Sequence, residues 1–189
     1  MKLNTLIIFQ LGLLFAACAD NNHYTGSQAG SSGANDKPEN KVMVYKANSN
    51  ILTGNTQPAA LISYAESLIG TPYKYGSIDP NQGFDCSGFI TYVFNHFGIS
   101  VPRSSNDFTN INKSISLRNS KPGDLILFTG TDSTKREVGH MGIITENNGQ
   151  DIQFIHSTSG KIYGVTITPL NKYYQGRFFK AIRVFKSND

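Results

Sequence analysis

Cysteine occurs only twice in the 189 residues, at Cys18 and Cys86. That scarcity excludes a disulfide-stapled scaffold, so the fold must be held by an ordinary core. It also excludes the Cys-x-x-Cys spacing of redox centres and the cysteine clusters of zinc sites. No run of lysine or arginine forms a patch, although the net charge is +4. Nucleic-acid binding therefore has no support, whereas a mild positive charge suits an anionic wall or membrane surface. No internal repeat is present. With 39% apolar residues the chain can fill one core of ordinary size.

No apolar run is long enough to span a bilayer. The longest, from Leu6 to Leu14, is broken by Gln10 and Gly12 and follows Lys2. It leads into Phe15-Ala16-Ala17-Cys18, small residues before a cysteine. Residues 1–17 therefore read as a secretory signal peptide. The segment resembles a bacterial lipobox, with Phe15 where leucine is usual. That resemblance implies lipid on Cys18 and a lipid anchor to the cell envelope, on a membrane or periplasmic face. The alternative is plain secretion with Cys18 incidental. With Cys18 lipidated, Cys86 is a lone thiol in an exported protein, a pattern that flags reactivity.

Residues 18–57 are rich in Asn, Ser, Gly and Lys and bury too little to offset ordering entropy, so most of them read as a flexible tether. Val42-Met43-Val44-Tyr45 is the one segment with strand character. The folded domain is expected over 58–189. Ala59, Ile62, Ala65 and Ile69 recur at helical spacing between Pro58 and Gly70. A second helix is expected over 86–97, with Phe89, Ile90, Val93, Phe94 and Phe97 as its stripe and Gly98 as its stop. Strands are expected at 125–128, 140–145, 152–156, 163–168 and 181–185. Helices first and strands afterwards predict an α+β domain, the helices packed on a mostly antiparallel sheet.

The second helix begins at Cys86, inside Phe84-Asp85-Cys86-Ser87-Gly88-Phe89. Free N–H groups and the partial positive charge of a helix start favour thiolate, the attacking form. The alternative is a buried structural cysteine, against which the polar Asp85 and Ser87 argue. A thiolate peptidase needs a base. Of four histidines, His23 lies in the tether and His96 suits a helix C-terminus. His140 opens one expected strand and His156 ends the next, so an antiparallel pairing sets them side by side. That supplies a base and a group to orient it. Asp85 suits the helix start as a cap. Asp124, after Pro122-Gly123, suits a turn.

From about Pro58 to Phe185 the chain resembles the NlpC family of papain-like cysteine peptidases, and within it the lipoprotein murein endopeptidases of the Spr type. The matching segments are Gly70-Thr71-Pro72-Tyr73-Lys74-Tyr75-Gly76, Phe84 to Phe89, Val101-Pro102-Arg103-Ser104-Ser105, Pro122-Gly123-Asp124-Leu125-Ile126-Leu127-Phe128, Gly139-His140-Met141-Gly142-Ile143 and Phe154-Ile155-His156-Ser157. They stand in the family's order. The resemblance implies Cys86 as nucleophile, His140 as base and His156 as orienter, with Tyr73 lining the site and its hydroxyl toward the nucleophile. Asp85, Ser87, Arg103 and Ser104 join Tyr73 in the expected substrate-binding set, Arg103 as either a solvated cation or a clamp on a substrate carboxylate. The substrate implied is the peptide stem or cross-link of peptidoglycan, at bonds involving D-amino acids or diaminopimelate. No metal or cofactor is implied, and a monomer is expected. Ser77, the segment 106–108 and the long stretch 130–139 depart from the family pattern. Two other readings stand beside this one: acyl transfer or amidase action on the same fold, and a non-catalytic wall-binding lipoprotein.

Overall fold

The structure, a computed structural model, describes residues 50–132 and 134–188. The expected signal peptide, Cys18, His23 and the 42–45 segment lie outside them. No helix among the described residues is long and apolar enough to cross a membrane.

Helix α1 (Pro58–Glu66) starts on its proline and buries Leu61, Ile62 and Ala65. It is shorter than its spacing predicts. Leu68 and Ile69 donate to the carbonyls three residues back, at Ala65 and Glu66, which tightens the last turn. Ile69 thereby leaves the stripe and is half exposed. Two short strands, β1 (Ile78–Asp79) and β2 (Gly83–Phe84), pair antiparallel and were not foreseen. They deliver the chain to α2 (Cys86–His96), whose residues 87–91, 93 and 94 are buried. So wide a buried face marks a helix enclosed by its neighbours rather than lying on a surface.

The strands β3 (Lys113–Ile115), β4 (Leu125–Thr129), β5 (Val138–Asn147), β6 (Ile152–Thr158), β7 (Gly164–Pro169) and β8 (Phe178–Arg183) form one sheet. Its order is β3-β8-β4-β5-β6-β7, and every adjacent pair is antiparallel. The α+β expectation holds. The final strand begins earlier than expected, at Phe178, and β3 and the helix α3 (Lys172–Arg177) are additions. Both faces of the sheet are covered. Leu125, Leu127, Met141, Ile143 and Ile155 pack with Leu61, Phe89 and Ile90 of the helices. Ile126, Phe128, Ile144 and Phe154 pack with Tyr174 of α3. Alternate residues of one strand serve the two cores, which explains why 125–128 is apolar without a break.

Two of the three departures from the family pattern find local roles. Phe108 is buried in a 3₁₀ turn, Ser105–Asn110. The Ser77 hydroxyl accepts the Asp79 N–H at 3.2 Å. Asp124 is more than a turn residue. Its Oδ2 accepts the Lys121 N–H at 2.7 Å, and its two oxygens accept Arg183 Nε–H at 3.0 and 3.2 Å, in a carboxylate with no exposure. One carboxylate thus ties the turn before β4 to β8. Asp124→Ala should destabilise the fold by about 3 kcal/mol, the usual cost of removing one partner of a buried ion pair. Chemical denaturation measures this, and a change under 1 kcal/mol would refute the role.

Candidate active site

Cys86 is the first residue of α2. The helix start is fixed by Asp85, whose carboxylate accepts the Gly88 N–H at 2.6 Å. Gly88 itself is required by close approach: a Cβ there would stand 2.1 Å from the Ser77 carbonyl oxygen. The half-buried thiol opens into a cleft of about 620 Å³, which Tyr73, His140, Thr158, Tyr174 and Arg177 also line.

His140 and His156 do fall side by side. Strand β5 begins at Val138 rather than at His140. The pairing of Phe128 with His140 and of Thr129 with Val138 leaves Gly139 as a bulged residue. A Cβ on Gly139 would lie 2.7 Å from Gly130 Cα. The register of Ile143 with Ile155 sets Gly142 across from His156. A Cβ on Gly142 would meet Phe154 at 2.7 Å and His156 Cβ at 3.2 Å, so glycine leaves the room that His156 occupies. His140 Nε2 then stands 2.8 Å from His156 Nδ1. His156 Nε2 stands 2.9 Å from Thr168 Oγ1 on β7. Phe128, Phe154 and Tyr174 enclose the two rings, with centroids 4.7 to 6.1 Å away.

The electrostatics reverse one expectation. The Cys86 thiol is pushed up to about 11, first by burial and then by the neighbouring Asp85 carboxylate. The N–H groups of Ser87, Met141 and Cys86 pull the other way and lose. Burial, then His156 and Arg177, hold His140 well below the ordinary imidazole value. Burial, then Arg177, bring His156 to about 3. The helix start does favour thiolate, but desolvation at this site outweighs it. The resting pair is a neutral thiol and a neutral imidazole.

The expected substrate-binding set divides. Tyr73 lines the cleft, and its hydroxyl is pushed up by burial and then by Cys86. Asp85, Ser87 and Arg103 bind one another. Arg103 grips both Asp85 oxygens at 2.6 and 3.0 Å and donates to Ser87 Oγ at 3.0 Å. These contacts support the helix start, and none of the three is among the residues that line the cleft. Ser104 is exposed, makes no side-chain cap and does not line the cleft. His96 stacks on Tyr64 at 3.6 Å, away from the site. Sequence reasoning missed Thr168, Tyr174 and Arg177. The signal for the last two was Asn171, whose side chain accepts the N–H groups of Tyr173 and Tyr174 and starts α3.

A raised thiol has a measurable consequence. Thiolate, and with it alkylation of the free protein by iodoacetamide, should be slow at pH 6 and rise about tenfold per pH unit toward pH 10. A rate that levels off below pH 8 would show that the thiol is not raised.

Comparison with known proteins places these residues in a lineage. The NlpC/P60 family model matches residues 70–183. The chain is 38% identical to gamma-DL-glutamyl hydrolase of Bacillus subtilis over 71% of its own length, which is 32% of that longer protein. It is 33% identical to the murein DD-endopeptidase MepS/murein LD-carboxypeptidase of Escherichia coli, over 92% of this chain and 88% of that one. A crystal structure of an NlpC/P60 family protein from Bacillus cereus superposes with a TM-score of 0.61 at 28% identity, covering 70% of this chain and 41% of that one. With the family model matching more than half of its length, and both Cys86 and the two paired histidines inside the match, the chain belongs to the NlpC/P60 family.

Proposed function

We propose that this protein is a cysteine endopeptidase that hydrolyses peptide bonds in peptidoglycan stems or cross-links, with Cys86 as nucleophile, His140 as base and His156 as orienter. The observation that carries the reading is the 2.8 Å contact of His140 with His156 in the cleft that also holds Cys86. The murein endopeptidase name of the Escherichia coli relative supports the wall peptide as substrate.

The hydrogen-bond chain sets the tautomers. For His140 to take the thiol proton, its Nδ1 must be bare and its Nε2 must carry hydrogen. Nε2–H then donates to His156 Nδ1, and His156 Nε2–H donates to Thr168 Oγ1. Every member is satisfied in that one direction. Because thiol and imidazole both rest neutral, proton transfer to His140 accompanies attack rather than preceding it. Sulfur adds to the carbonyl carbon, and His140 returns the proton to the leaving amine, giving a thioester. Water, deprotonated by His140, then releases the acid and restores the thiol. The N–H groups of Cys86, Ser87 and Met141, already directed at the sulfur's surroundings, are the candidate oxyanion donors.

Turnover of purified muropeptides tests the roles. Cys86→Ala should abolish cleavage with the fold intact, and His140→Ala should reduce it about 10³-fold, the scale of general acid–base catalysis. His156→Gln should be milder, since an amide oxygen still accepts from Nε2–H. Wild-type cleavage by Cys86→Ala, or a dead His156→Gln beside an active, stable His140→Ala, would overturn the assignment.

In the same reading the protein is exported and held at the envelope by lipid on Cys18, working as a monomer. Cys18→Ala should move it from the membrane to the soluble fraction, since acyl chains supply such an anchor. A variant that stays on membranes, with no labelled fatty acid on the wild type, would rule the anchor out.

A further inference from the structure

The cleft around Cys86 and His140 is lined by two cations, Lys161 and Arg177, and by no acidic side chain. Arg177 is held rigidly. Its Nε and Nη2 donate to the Thr129 carbonyl at 3.1 and 2.7 Å, and its Nη1 donates to the Tyr173 hydroxyl at 2.6 Å. Its guanidinium also lies 5.0 Å from the centre of the Tyr173 ring. Neither hydrogen-bond acceptor is a carboxylate. The ion pairs among the described residues are Arg103–Asp85, Lys135–Asp132 and Arg183–Asp124, so neither Arg177 nor Lys161 is neutralised by the described protein. A guanidinium has five N–H donors, and the bonds above use three. The charge has been oriented and left open toward the cleft, which is the arrangement that receives a planar anion.

We propose that Arg177, assisted by Lys161, holds a carboxylate of the substrate close to the scissile bond, so that the enzyme selects stem peptides in which that carboxylate is free. This inference rests on the peptidase reading and names the group its cleft recognises. Two stem carboxylates share the required chemistry, the α-carboxylate of D-glutamate and the D-centre carboxylate of diaminopimelate, whose L-centre carboxyl is taken up in the stem's own peptide bond. The site also bears on the base. The Arg177 charge disfavours imidazolium on both histidines. A bound carboxylate compensates that charge, so His140 is a stronger base with substrate in place than in the empty cleft.

The test is binding to full-length Cys86→Ala protein, which cannot turn substrate over. The parent probe is the L-Ala-γ-D-Glu-diaminopimelate tripeptide with the L-centre carboxyl of diaminopimelate capped as an amide, and it is compared with its two monoamides, one blocked at the D-glutamate α-carboxylate and one at the D-centre carboxylate of diaminopimelate. One monoamide should bind roughly tenfold or more weakly than the parent, the scale of a charge-assisted pair, and its identity assigns the carboxylate. Adding Arg177→Gln should shrink that ratio to within about twofold, while Arg177→Lys should keep part of it. The ratio is read within each protein, so partial unfolding does not move it. Equal binding of all three peptides, no measurable binding of any, or a preference that survives Arg177→Gln would overturn the proposal. Cleavage by the intact enzyme is scored separately. An Arg177-dependent preference without cleavage of any peptide would leave the carboxylate site standing and bring down the peptidase reading.

Discussion

The position of the thiol depends on one carboxylate. Asp85 caps α2 through the Gly88 N–H and at the same time receives Arg103 through both oxygens. The cap contributes about 1 kcal/mol in typical helices. The ion pair, with Arg103 about 41% exposed, adds little beyond orientation. The cap is therefore the stronger anchor, and the guanidinium keeps the carboxylate aimed. There is a cost at the neighbouring residue, because the same negative charge opposes thiolate on Cys86. The fold accepts a less acidic thiol in exchange for a fixed one.

The proposed roles need His140 held as firmly as Cys86, and that is a matter of glycine. Gly142 and Gly139 flank the segment that carries His140. One clears space for the His156 ring and the other makes the bulge that precedes His140. Each lacks a side chain for a steric reason that its neighbours show. The imidazoles then lock together through a single run of hydrogen bonds ending at Thr168, inside walls of Phe128, Phe154 and Tyr174. The walls bury much of both rings, and that burial suppresses the charge on each.

Much of this was legible in the sequence, for reasons that can be stated. The helix from Cys86 and the central strands carry strong periodicity, because α2 and the sheet bury definite faces. The pairing of His140 with His156 followed from strand ends alone, since antiparallel neighbours bring those ends together. What stayed hidden was either short or non-local. The two-residue strands β1 and β2 have no period to detect. Helix α3, with Gly176 inside it, is too brief to show one. The mutual contacts of Asp85, Ser87 and Arg103 join positions up to eighteen residues apart, and nothing in their spacing announces them. The sign of the thiol shift was also out of reach. The helix start can be read from a motif, whereas burial of the sulfur is a property of the whole fold.

Burial pushes the Cys86 thiol well above its ordinary value, so in the empty cleft it rests protonated. A low-lying imidazole pool cannot compensate, because a base that resists protonation does not draw a proton from an ordinary thiol. Charge separation must therefore be induced when the cleft is filled. Whatever enters displaces water and brings its own polarised carbonyl against the backbone N–H groups beside Cys86, which strengthens each of those interactions. A cleft lined by Lys161 and Arg177 without an acid is already biased toward an anionic visitor, and an anion is the one kind of visitor whose arrival makes imidazolium less costly. The same burial that quiets the empty site thus makes its activation conditional on the charge of what binds.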